Sequence, residues 1–175
     1  MKGIGITAAA IVVLALGNEV HADQADFEIK GFRIGMSEAE FKKANPKAKC
    51  AYSSRDPSWD SSISRLRTCS LPGLTLATRE ARDSQFLFYD GKLGSWNASF
   101  YEFYGKSLQE ALAEKFGPPL IDPRLPGVSW RSSAGTLMQL VFTSSSALLI
   151  IQSEISLDWD AKLREYKLRK GKADL

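Results

Sequence analysis

Two copies of one short motif, G-x-S-x-x-E, constrain this 175-residue chain more than any other feature. The first is Gly35-Met36-Ser37-Glu38-Ala39-Glu40, followed by Phe41, and the second is Gly105-Lys106-Ser107-Leu108-Gln109-Glu110. In each, the Ser is placed to accept the N3 backbone N–H while the Glu reaches back to the Ser amide, so both predict a capped helix start. The second opens the clearest helix, Gly105–Pro118, with Leu108, Ala111, Leu112, Lys115 and Phe116 at helical spacing and the Lys115 stem lying along apolar surface. Gly117 is placed at C′, and Pro118-Pro119 prevents continuation. The first predicts a short helix from Glu38 to about Ala44 that presents Ala39, Phe41 and Ala44 and stops at Asn45-Pro46. A repeated helix start implies two similar units in tandem.

Strand signals fill the intervals. Phe27 to Ile34 reads as a strand that Gly31 breaks or bulges. Ile63 to Thr68 and Leu74 to Thr78 flank a Leu71-Pro72-Gly73 turn. The strongest β signal is Gln85-Phe86-Leu87-Phe88-Tyr89, then Asp90-Gly91, then a long strand from Lys92 through Tyr104. Asp-Gly between apolar runs favours the type I′ turn that matches strand twist. Trp96, Ala98 and Phe100 share one face of that strand, with Tyr101 and Phe103 on the other, which leaves a second aromatic face for packing or for a partner. Trp130 begins another strand, and Thr136 to Phe142 and Ala147 to Gln152 form a hairpin across Thr143 to Ser146. Ala147 to Ile151 is almost continuously apolar, as in a strand buried on both faces.

The N-terminal residues read as a targeting segment. Lys2 supplies a positive n-region, Ile4 to Leu16 an apolar run, and Val20-His21-Ala22 a small-residue cleavage site, so residues 1–22 are predicted to leave an exported domain of residues 23–175. Periplasmic or secreted localisation follows. The net charge is +3 and stays there when Lys2 and Glu19 leave together. Such a balance gives no indication of nucleic acid as a partner.

The residues that are missing narrow the chemistry further. His21 is the one histidine, so the mature chain lacks imidazole general bases, His-containing triads and His metal sites. Cys50 and Cys69 are the only cysteines, and an even count in an oxidising compartment predicts one disulfide. No metal or cofactor is expected. The loop between the cysteines, Tyr52 to Ser62, is polar and turn-rich, and Trp59 either stands out on it or folds back onto the core edge. The C-terminal stretch 157–170 is predicted to be a helix capped by Ser156 or Asp158, with Trp159, Leu163 and Tyr166 on one stripe. Lys162, Arg164, Lys167, Arg169 and Lys170 occupy the rest, either as a solvated face or as contacts to an anionic surface.

Gly35-Met36-Ser37, the Phe116-Gly117-Pro118-Pro119 helix end and Trp130 before a β-hairpin resemble the exported β-lactamase inhibitor protein-like group. They also resemble the related small lipoprotein of the outer-membrane barrel-assembly machinery. The resemblance implies helices packed on one face of an antiparallel sheet. No Cys lies near the cleavage site, so the lipid attachment of the assembly lipoprotein has no counterpart here.

Together these features predict an α+β fold. It has two tandem helix-plus-antiparallel-strand units, about 27–104 and 105–155, with helices on one face of an antiparallel sheet and an extra C-terminal helix. The leading functional expectation is a non-enzymatic envelope binding module, whether inhibitor-like, immunity-like or an assembly factor, that meets a protein or cell-wall partner through sheet and loop surfaces. Aromatic and arginine residues usually anchor such surfaces, which nominates Tyr52, Arg55, Trp59, Tyr101 and Arg124. One rival is a carboxylate-only glycan-acting enzyme using Asp56 and Asp60, or Asp158 and Asp160, beside a tryptophan. Another is a structural protein that contacts anionic lipid or lipopolysaccharide through the basic C-terminal helix.

Overall fold

The computed structural model describes residues 26–52, 66–124, 126–154, 156–158, 161, 164, 165 and 168. Arg55, Asp56, Trp59 and Asp60 lie outside the described residues, as do Trp159, Asp160, Lys162, Leu163, Tyr166, Lys167, Arg169 and Lys170.

In chain order the elements are α1 (Glu38–Ala44), β1 (Lys49–Tyr52), β2 (Leu66–Ser70), β3 (Thr75–Leu76), β4 (Arg79–Glu80), β5 (Asp83–Tyr89) and β6 (Lys92–Tyr101). A 3₁₀ turn (Glu102–Tyr104) then leads into α2 (Gly105–Phe116), followed by β7 (Gly127–Arg131), β8 (Leu137–Phe142) and β9 (Ser146–Gln152). Seven strands form one antiparallel sheet in the order β1-β2-β5-β6-β9-β8-β7, and β3 and β4 form a small second sheet. This overturns the expected helix-packed α+β arrangement of two tandem units. The protein is mostly antiparallel sheet with a few short helices, and β6 and β9, assigned to different units by the sequence, pair along seven residues at its centre.

Local chemistry explains where expectation and fold part. The capping box at Ser37 forms in full: Ser37 Oγ accepts the Glu40 N–H, and Glu40 Oε2 accepts the Ser37 N–H at 2.7 Å. The one at Ser107 does not form. The helical path begins earlier, through the 3₁₀ turn, so Tyr104 is the N-cap without a side-chain bond, and Ser107 Oγ instead donates to the Tyr104 carbonyl. Ser107 is thus already inside the helix, where a hydroxyl bonds back to an earlier carbonyl. The predicted strand over Phe27–Ile34 is replaced by a tight reversal. Lys30 and Gly31 both have positive φ, 56° and 80°, and Ile29 and Phe32 exchange backbone hydrogen bonds across them. In α1, Phe41 alone is buried; Ala39 and Ala44 are exposed.

Other expectations hold. Asp90 and Gly91 have φ of 49° and 77°, the signature of a type I′ turn between β5 and β6. Gly117 caps α2 with φ 83°. The β8–β9 hairpin is present, and β9 lies between β6 and β8 with no free edge. Ala147, Leu149 and Ile151 are buried, whereas Leu148 and Ile150 are half-buried on the other face. The C-terminal helix starts sooner than predicted. Glu154, Ser156, Leu157, Asp158, Ala161, Arg164, Glu165 and Leu168 are all helical, which puts Ser156 and Asp158 inside it rather than at its cap.

The core runs straight across the sheet. Cross-strand pairing aligns Cys50, Cys69, Phe86, Trp96, Ile151, Met138 and Trp130 in one row, and all but Cys50 are buried. Phe32 and Phe41 pack on Phe86 at centroid separations of 4.8 and 4.6 Å, and Trp96 stacks on it at 5.5 Å. Such aromatic clusters add to the area they bury. Leu108 and Leu112 of α2 complete the same core. The neighbouring row on the opposite face reads Lys49, Ser70, Gln85, Asn97, Ile150, Gln139 and Ser129, all exposed or half-buried. One face therefore holds the core, and the other mixes amides and hydroxyls with the half-buried Leu87, Leu137, Val141, Leu148 and Ile150.

Candidate functional site

The sheet determines which nominated residues can meet. Cys50 and Cys69 form the expected disulfide between directly paired positions of β1 and β2, which ties edge strand β1 to its neighbour. Glu38 lies with these two sulfurs as a potential metal cluster. Both sulfurs are consumed by the bridge, however, and the Glu38 carboxylate already holds Lys42 at 2.7 Å and Arg67 at 3.1 Å.

Tyr52 and Tyr101 do not share a surface. Tyr52 pairs with Arg67, Arg67 with Phe88, and Phe88 with Leu93, whereas Tyr101 lies eight residues further along β6. At 3.3 Å per residue this is about 26 Å, and the alternation puts the two side chains on opposite faces. Arg67 covers the Tyr52 ring at 4.6 Å from its centroid, which satisfies the ring locally. Arg124 belongs to the segment before β7, where it grips Asp122 through two contacts of 2.9 and 2.7 Å. This pairing holds the Asp122 carboxyl below its ordinary value, chiefly through the Arg124 side chain. Three strand spacings, about 14 Å, separate β6 from β7.

Around Tyr101 the structure assembles more than the sequence suggested. Tyr101 is 49% exposed and Phe103 70% exposed, and their rings stack at 5.5 Å with planes only 14° apart. Tyr104 meets Phe103 edge-on at 4.3 Å. Arg82 lies over Tyr101 and Arg79 over Tyr104, each 4.9 Å from the ring centroid. The result is a ledge of aromatic rings backed by two guanidiniums at the end of β6. Its rings are already ordered by stacking, so little side-chain freedom is lost when a partner covers them.

A separate shallow hollow of about 100 Å³ lies over β7 and β8, lined by Leu120, Asp122, Val128, Gln139 and Val141 among others. Leu120 and Ile121 beside it are 62% and 75% exposed. Of the nominated residues, Tyr101 belongs to the ledge, whereas Arg124 lies on the segment before β7, beside the Asp122 that lines the hollow. Phe103, Arg79, Arg82, Leu120 and Ile121 were not nominated. The run Tyr101-x-Phe103-Tyr104 was the available signal for the ledge, but the arginines come from a different hairpin. Leu120 and Ile121 are apolar residues in a proline-bounded loop and resemble ordinary core by composition.

Comparisons with protein-family models, with curated proteins and with solved structures find no match. The resemblance to the inhibitor-like group therefore rests on the sequence motifs alone.

Proposed function

We propose that this protein is an exported, non-enzymatic binding module of the cell envelope that engages a protein partner through the ledge at the end of β6. The observation that carries this reading is the exposed, mutually stacked Tyr101–Phe103 pair with Arg82 over it. Aromatic and arginine residues are the side chains that most often dominate binding energy at protein interfaces. Leu120 and Ile121 are exposed apolar residues beside β7, and amide side chains such as Asn97 and Gln139 on the sheet face between offer polar contacts. Export, the inhibitor-like, immunity-like or assembly role, and the absence of catalysis belong to the same reading and rest on the sequence. Among the described residues, which do not include Asp56, Asp60, Asp160 or most of the basic helix, no observation favours the carboxylate pairs or the basic helix over the ledge.

The test is affinity capture from envelope extract with the oxidised mature chain, run beside a Tyr101→Ala/Phe103→Ala variant. The expected result is one stoichiometric partner whose recovery falls at least about tenfold with the variant, as for truncated hot-spot residues. Equal recovery by both proteins overturns the assignment of the ledge.

A further inference from the structure

A separate cavity lies on the core side of the sheet, and no ring or arginine of the ledge lines it, although its wall residue Leu76 pairs with Arg79 in the small β3–β4 sheet. Its volume is about 240 Å³, and its wall is mostly aliphatic, with Ile29, Leu76, Leu108, Leu112, Leu140 and Leu149 joined by one aromatic ring, Phe116. The six aliphatic residues are nearly or fully buried. They come from the 29–32 reversal, β3, α2, β8 and β9, so the space is defined by the tertiary fold rather than by one loop. An apolar cavity of about 150 Å³ stays dry and takes up benzene, because a water inside would lack its two to four polar partners. This one is larger and opens to the surface beside Lys30 and Lys115.

Both lysines line the cavity, and both are exposed. Lys115 Nζ donates to the Glu28 carbonyl at 2.6 Å, and Lys30 Nζ to Thr75 Oγ1 at 3.4 Å. Each ammonium has three N–H donors, so each keeps donors for an anion. Among the described residues no carboxylate pairs with either one. A mostly aliphatic interior beside two ammonium groups that no carboxylate among the described residues neutralises is complementary to one kind of molecule, an alkyl chain that ends in an anionic head.

We infer that this cavity binds the monomer of a medium-chain alkyl carboxylate, with its chain among the leucines and its carboxylate between Lys30 and Lys115. The charges select the acid over an alcohol of the same length. Selection is salt-sensitive, because both ammonium groups are solvent-exposed and are screened over about 8 Å at 0.15 M ionic strength. None of Tyr101, Phe103, Tyr104, Arg79 and Arg82 lines the cavity, so the inference is tested separately from the proposed docking surface.

The experiment titrates octanoate, and separately 1-octanol, into the oxidised mature protein carrying ¹³C-labelled methyls. Saturable shifts are expected at the methyls of Leu76, Leu112 and Leu149, with octanoate binding at least tenfold tighter than octanol. A Lys30→Asn/Lys115→Gln variant removes both charges, and Asn tolerates the positive φ at position 30. It is expected to lose at least tenfold in octanoate affinity while octanol binding stays within twofold. Ala111→Trp, at a half-buried position beside the cavity, is expected to abolish both. Methyls unmoved by millimolar octanoate overturn the proposal, as does octanoate affinity unchanged in the charge-neutral variant.

Discussion

Ser37 and Ser107 occupy the same place in the same motif, yet only Ser37 accepts a helix N–H. Ser37→Ala is therefore expected to cost about 1 kcal/mol in urea unfolding, within the range for N-cap serines. Ser107→Ala should cost much less, since its hydroxyl only bonds back to the Tyr104 carbonyl. Equal losses would contradict the observed helix starts. Glu40, the other half of the working box, carries a pH signature. Its carboxyl is held below the ordinary value, first by the Ser37 backbone N–H, then by the Ser37 hydroxyl and by Arg33. A folded-state value below the unfolded one means that the stabilisation is fully present above the unfolded carboxyl's pKa of about 4.3. It is lost as pH falls through the folded value. The stability gap between the parent protein and Glu40→Gln should accordingly shrink between about pH 6 and about pH 3. A gap that stays constant on acidification would rule out this role.

The sheet's two edges are protected by different means. β7 is partly covered by the preceding segment, where Leu120 and Ser129 exchange backbone hydrogen bonds. On its inner side, Gly127 lets the start of β7 come close to β8: its φ is 146°, and a Cβ there would collide with the Leu140 carbonyl. β1, at the other edge, is four residues long and is held by the Cys50–Cys69 bridge. Short edge strands and covered edges both limit unwanted pairing. A bridge spanning 19 positions is worth about 3 kcal/mol in the chain-entropy model. Cys50→Ser/Cys69→Ser should thus lower stability by about 2–4 kcal/mol in denaturant unfolding, with amide exchange rising first in β1. Unchanged exchange in β1 would mean that strand pairing alone holds the edge.

At the scale of the whole molecule, strands β5, β6, β8 and β9 were legible because each pairs an apolar run with local turn chemistry: Asp90-Gly91 in one hairpin, Thr143 to Ser146 in the other. The disulfide was legible from cysteine count. Their assembly was not. A motif of six residues carries no record of the 3₁₀ turn that moves the α2 start back past Ser107, and without that second box the tandem division lost its basis. Periodicity likewise offered no sign that β6 and β9 pair across the supposed unit boundary. The candidate site divides in the same way. Tyr101 was readable as an aromatic on the face opposite Trp96, whereas Arg79 and Arg82 join it only through tertiary folding. Tyr52 was a sound choice by residue type, but the sheet places it at the far end and on the other face. The most direct test of the account is a titration of the captured partner against single variants. Phe103→Ala and Arg82→Ala should each weaken binding at least about tenfold, while Tyr52→Ala stays within about twofold of the parent. Loss at Tyr52 equal to that at Phe103, or no loss at Phe103 and Arg82, would contradict it.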